Sequence, residues 1–117
     1  MDIERAAVDC INASDVGAKA YYDVPADRPK AFVVIERTGG SRGEAGTSRP
    51  TIDAQCWAQT RREAATLAEA VSDALEVGLP AMSEDVASAR VSSEFRDYDL
   101  ESGTPRYHIV VEMTANR

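Results

Sequence analysis

One stretch of this chain fits a single local conformation. Behind Thr60 and Glu63, the residues Ala64, Leu67, Ala68, Val71, Ala74 and Leu75 recur at spacings of three and four. That rhythm lines one face of an α-helix, whereas a strand would scatter the same residues over both of its faces. Thr60 and Glu63 fit a capping box, in which a hydroxyl and a carboxylate take up backbone donors at a helix start. Gly78 and Pro80 stand where a helix stops, since glycine accepts the left-handed cap and proline cannot continue the ladder. The spacing predicts a helix from about 61 to 77, and its apolar stripe has to be covered by another layer.

The segments around it supply that layer as strands. Ala31 to Arg37 is rich in β-branched residues (Val33, Val34, Ile35), and Thr51 to Ala58 sets Ile52, Ala54, Cys56 and Ala58 against Thr51, Asp53, Gln55 and Trp57. These read as two antiparallel strands. A second hairpin follows the helix, with a strand near 87 to 97 (Ala89, Val91, Ser93, Phe95) and one near 106 to 114 (Tyr107, Ile109, Val111, Met113). Residues 98 to 105 form its turn.

Ahead of these, residues 2 to about 14 place Ile3, Ala6, Ala7, Cys10 and Ile11 on one helix face, ended by Asn12, Ser14 and Gly17. Residues 18 to 24 alternate weakly up to Val24-Pro25 and read as a short edge strand. The expected fold is therefore α+β, a single mostly antiparallel sheet with a long helix packed on one face, in the order helix, strand, hairpin, helix, hairpin. One domain over residues 1–117 is expected, because a chain of 117 residues is too short for two independent cores.

Between the first two strands lie the residues Gly39 to Pro50, with Gly39, Gly40, Gly43 and Gly46 among Ser41, Arg42, Thr47, Ser48 and Arg49. Hairpin connections usually take two to five residues. This longer segment reads as a flexible loop, disordered in the free subunit, whose Arg42 and Arg49 reach a partner. Its Gly39-Gly40-Ser41-Arg42-Gly43 stretch is not a phosphate loop, since no Lys-Ser/Thr pair opens a helix after it.

Composition narrows the function classes. Apolar residues make up 44% and charged residues 28%, which is globular usage, but aromatics are only 6%. The core should be thin and built from short side chains, and self-association would help its stability. Cys10 and Cys56 suggest buried free thiols rather than a disulfide framework. No apolar run approaches the roughly 20 residues that cross a bilayer, and the acidic start lacks the features of a signal peptide, so a cytoplasmic protein is expected.

A net charge of −7 argues against a sequence-independent grip on nucleic acid. The total conceals an asymmetry. From Arg28 to Arg62 there are seven basic and three acidic residues, a net of +4, whereas Glu63 to Glu101 holds two basic and ten acidic, a net of −8.

The chemistry-bearing residues form no familiar constellation. His108 alternates with Tyr107 and Ile109 and should point away from the core, as a solvent-facing strand histidine. Asp97 or Asp99 could approach it across the hairpin, yet no nucleophile is marked beside it, so no catalytic residue is assigned. Cys10, Cys56 and His108 have no metal-ligand spacing, and no metal or cofactor is expected. Trp57, the single tryptophan, falls opposite the apolar register of its strand, where it either covers a helix or is exposed for a partner.

Several of these stretches together resemble the tail terminator proteins, also called tail completion or minor tail proteins, of long-tailed bacteriophages. They are the N-terminal helix, the strand ending near Asp23-Val24-Pro25, and Phe32-Val33-Val34-Ile35-Glu36-Arg37 leading into a Gly-rich segment. Ile52-Asp53-Ala54-Gln55-Cys56-Trp57-Ala58 follows, then Gln59-Thr60 and the Ala-rich helix from about Arg61, and last the hairpin ending Tyr107-His108-Ile109-Val110-Val111-Glu112. The resemblance spans Asp2 to about Thr114.

It implies a structural virion protein without enzyme activity, forming a ring of typically six subunits on the finished tail tube. Its partners would be copies of itself, the major tail tube protein and a head connector or neck protein. It would sit in the tail or neck of the virion after assembly in the host cytoplasm. DNA would slide through the lumen without specific binding, which an acidic balance suits, and no membrane is involved. The candidate partner-binding residues are Arg42, Arg49, Trp57, Arg61 and Arg62. Two other readings stand beside this one: another neck or head-closure component, or a small dimeric α+β ligand-binding module.

Overall fold

In the computed structural model, which describes residues 2–116, the alternating segments pair as their patterns require. The elements are α1 (Ile3–Ala13), β1 (Lys19–Tyr21), β2 (Phe32–Arg42), β3 (Thr47–Trp57), α2 (Arg61–Asp73), a π-helical turn (Ala74–Gly78), α3 (Leu79–Met82), β4 (Val86–Tyr98) and β5 (Pro105–Asn116). The fold is α+β, one five-stranded sheet in the order β1-β2-β3-β5-β4. Every pairing is antiparallel except that of β1 with β2.

All three helices lie on one face. Ile3, Ala7 and Ile11 of α1, then Ala64, Ala68 and Val71 of α2, with Leu75 and Leu79 beyond, pack on Val33, Ile35, Ile52, Ala54, Cys56, Ile109 and Val111. Short and branched side chains fill this layer, as the composition requires.

Local chemistry places the ends. Asp2 caps α1 by accepting from the Arg5 N–H at 3.0 Å. Asn12 then acts as a substitute strand, because its Oδ1 accepts from Ala20 N at 2.8 Å and its Nδ2 donates to Ala20 O at 3.3 Å. This holds the three-residue β1 at the sheet edge.

Three features depart from expectation. First, Gly39 to Pro50 is not a long loop. β2 runs on to Arg42 and β3 starts at Thr47, with pairs Gly39↔Thr51, Gly40↔Pro50, Ser41↔Arg49 and Arg42↔Ser48, so that residues 43–46 alone make the turn. Gly40 permits this close pairing. It lies at φ +126°, and a Cβ there would stand 2.5 Å from the Arg49 carbonyl oxygen. The hairpin is further tied to the sheet where Thr47 and Ser48 pair with Asn116 and Ala115 of β5.

Second, Gly78 and Pro80 do not end the helix. Gly78 keeps right-handed helical geometry, φ −73°, and Pro80 falls in the first turn of α3. Proline has no N–H for the carbonyl four residues back, and the chain accommodates it after the π turn. Cys10 Sγ donates to the Ala74 carbonyl in that turn, at 3.4 Å. A Cβ on Gly78 would lie 3.2 Å from the same sulfur, so the glycine serves close helix packing rather than a cap.

Third, β4 changes face. Val91 pairs with Val111 but Ser93 pairs with Val110, so Ser92 is an extra residue in the strand. Ala89 and Val91 pack on the helix-side core. Beyond the bulge Phe95, paired with His108, lies on the other face.

Candidate functional site

The face of the sheet without helices is where side-chain chemistry collects. On β3 and β5 the residues alternating with the core are Asp53, Gln55, Trp57, Arg106 and His108, and the β4 bulge adds Phe95 and Asp97 to the same side. Neighbouring strands thus present polar side chains to one another across the ladder.

His108 is at the centre. Its Nδ1 lies 2.8 Å from Asp53 Oδ2 and its Nε2 lies 2.8 Å from Asp97 Oδ2. Phe95 stacks over the ring with centroids 4.7 Å apart and planes 9° from parallel. Its side chain is only 12% exposed, so it is not the solvent-facing histidine that alternation alone suggests. Both ring nitrogens are thus engaged with carboxyl groups. A histidine with both nitrogens engaged has neither free to take a proton from a substrate.

Arg106 extends the chain of charges. Its Nε donates to Asp97 Oδ1 at 2.6 Å and its Nη2 to Asp97 Oδ2 at 3.1 Å, a two-pronged pair, with Asp99 Oδ1 4.0 Å from Nη1. Desolvation pushes the Asp97 carboxyl upward, but hydrogen bonds from Arg106 and His108 outweigh it and hold Asp97 below the usual carboxylate range. Asp99 is also lowered, first by the Ser102 hydroxyl at 2.7 Å and then by the Ser102 N–H at 3.0 Å, bonds that shape the β4–β5 turn.

At the end of this network the guanidiniums of Arg106 and Arg28 lie 5.0 and 5.2 Å from the centroid of the Trp57 ring. Trp57 stacks on Phe32 at 5.1 Å, and its Nε1 donates to Gln55 Oε1 at 3.3 Å. Arg28 Nη1 reaches Ser102 Oγ at 3.3 Å, which ties the segment before β2 to the β4–β5 turn. Trp57 is therefore neither over a helix nor an exposed anchor. It is 2% exposed, within a small second cluster with Phe32 and Val34.

The charged side chains of this face are largely engaged with one another, although the buried Asp53 Oδ1 has no hydrogen-bond partner among the described residues. Cys56 points to the opposite, core side, where burial, helped by the carboxylates of Asp53 and Glu94, pushes its thiol far up, so it stays protonated. Among the described residues no group of three or more His, Cys, Asp or Glu side chains is placed to hold a metal ion. No helix there is long and apolar enough to cross a membrane.

The partner-binding residues expected from sequence fall into two separate places. Arg42 and Arg49 are exposed near the tip of the β2–β3 hairpin. Trp57 lies at the far end of β3, roughly 26 Å from Arg49 at about 3.3 Å per strand residue. Arg61 and Arg62 are exposed in the first turn of α2, beyond that same end. Asp53 was the residue missed. It meets His108 diagonally, since Gln55 is the residue directly opposite His108. The available signal was an aspartate amid the apolar alternation of β3.

The fold is shared with a solved structure, that of the bacteriophage SPP1 gp17 protein. The match has a TM-score of 0.63 and 23% identity, and it covers 98% of this chain and 89% of that one. No family model matches the chain, and no curated protein matches it either.

Proposed function

We propose that this chain is a structural protein of a long-tailed bacteriophage. Copies of it form a ring, six subunits by family resemblance, that caps the finished tail tube, ends tube growth and presents the surface to which the head connector or neck joins. It acts in the tail or neck of the virion, after assembly in the host cytoplasm, and DNA passes through the lumen without specific binding.

The observation that carries this reading is the fold held in common with a bacteriophage protein over 98% of the chain. The residue-level resemblance to tail terminators, from the N-terminal helix to the last hairpin, points the same way. So does the character of the helix-free face, where His108, Asp97 and Arg106 are engaged with one another. The ligand-binding alternative needs polar groups between sheet and helices, and that layer is filled by Ala, Val, Ile and Leu.

The test is negative-stain electron microscopy of the purified protein, alone and mixed with tail tubes. Rings with a central hole, seated on tube ends, are expected. Bare tube ends with the protein dispersed would refute the reading, and rings found on head connectors but never on tubes would move it to the neck.

A further inference from the structure

Most of the exposed large apolar side chains gather at the two opposite edges of the sheet. Tyr22 (48% exposed) and Val24 (38%) stand beside β1 and β2, whereas Phe95 (47%), Tyr98 (61%) and Leu100 (87%) stand along and beyond the end of β4. Apolar groups that remain exposed in company and are rimmed by charge mark contact surfaces. The pockets at the two edges also differ in charge. Beside β2, Tyr22 and Val24 line a groove of about 460 Å³ with the carboxylates of Glu4, Asp23 and Glu36 and no basic side chain. At the β4 end a cavity is lined by Arg61, Arg96, Asp97 and Tyr98; Asp97 is taken up by Arg106, and neither Arg61 nor Arg96 has an ion-pair partner among the described residues. Arg61 opens α2, the helix end where the dipole disfavours a cation, so its own helix gives it no stabilising role.

At one position on each edge an added strand is obstructed. The Arg37 N–H on the β2 edge donates to Glu4 Oε2 at 2.8 Å, and the Val91 N–H on the β4 edge donates to Glu76 Oε2 at 2.8 Å. A carboxylate bonded to an edge N–H blocks an added strand there.

We infer that the acidic groove beside β2 of one copy receives the Arg96–Tyr98 edge of a second copy. A surface that meets a different surface on its neighbour repeats head to tail and closes into a ring when the rotation allows. The inference rests on the ring reading above and specifies its subunit contact.

Charge reversal tests it. Asp23→Arg and Arg96→Glu each alter an exposed side chain, and unchanged thermal midpoints establish that both variants fold. In sedimentation velocity the wild type is expected to form an assembly. Each single variant should weaken it by about tenfold or more in apparent dissociation constant, because like charges then face each other. An equimolar mixture of the two should assemble again, since alternating copies restore an opposite pair at every contact. Singles that assemble like the wild type, a mixture that fails to recover, or a wild type that stays monomeric would each overturn the inference. Tail completion is scored separately by complementation. Assembly through these edges without rescue of tails would overturn the virion role alone, whereas single variants that form working rings would overturn this contact alone.

Discussion

Asp97→Ala measures whether the charges on the helix-free face hold three strands together or only decorate them. Asp97 on β4 takes both prongs of Arg106 and the Nε2 contact of His108, both on β5, and His108 passes the connection to Asp53 on β3. The alanine removes all of Asp97's contacts at once and leaves Arg106 with Asp99 at 4.0 Å. Exposed ion pairs contribute about 0–1 kcal/mol, whereas breaking a fully buried one costs about 3–5 kcal/mol. The Asp97 and Arg106 side chains are 35% and 20% exposed, between those limits. A loss of about 2 kcal/mol is expected, close to that of one hydrogen bond to a charged group with partial compensation by water. Urea denaturation of the wild type, Asp97→Ala, His108→Ala and the double variant would read it. The double variant should lose less than the sum of the two singles, by about 1 kcal/mol, because the two residues share a contact. A loss under about 0.5 kcal/mol for Asp97→Ala, or strict additivity with His108→Ala, would refute the reasoning and reduce the network to ordinary surface pairs.

Other outcomes follow from the same geometry. Asp97 is held below its unfolded pKa, near ~3.9, so its contribution is complete above that value and is lost as pH falls through the lower folded value. Acid unfolding curves of Asp97→Asn should therefore be flatter than wild type below about pH 4, and parallel curves would contradict this. Thr60 Oγ accepts from the Glu63 N–H at 3.1 Å, while the Glu63 carboxylate accepts the Thr60 hydroxyl proton at 3.0 Å, a variant of the capping box. Thr60→Ala should cost about 0.5–2 kcal/mol, and an unchanged denaturation midpoint would count against that cap. Gly40→Ala should place its Cβ against the Arg49 carbonyl and strain the hairpin by about 1–3 kcal/mol. Amide exchange in residues 38–50 should accelerate while the core stays protected, and unaltered exchange would show that the hairpin shifts freely.

The elements whose cause is local were legible in the sequence. The apolar stripe behind Thr60, the alternation of Ile52, Ala54 and Cys56, and that of Tyr107, Ile109 and Val111 each depend only on the period of one segment. The α+β class and the antiparallel hairpins follow from their order. Tertiary structure decided what depends on two segments meeting. Gly40 and its neighbours read as loop by composition, but pairing with Arg49 and Pro50, and of Thr47 and Ser48 with β5, makes them strand. Gly78 reads as a stop by residue type, but α1 brings Cys10 Sγ to 3.2 Å of where its Cβ would be, and the helical path continues. Ser92 moves Phe95 and Asp97 to the helix-free face, a shift visible only in the register with β5. Only that shift and the diagonal approach of Asp53 enclose His108, because a strand pattern says which side of the sheet a residue faces and nothing about what stands beside it there.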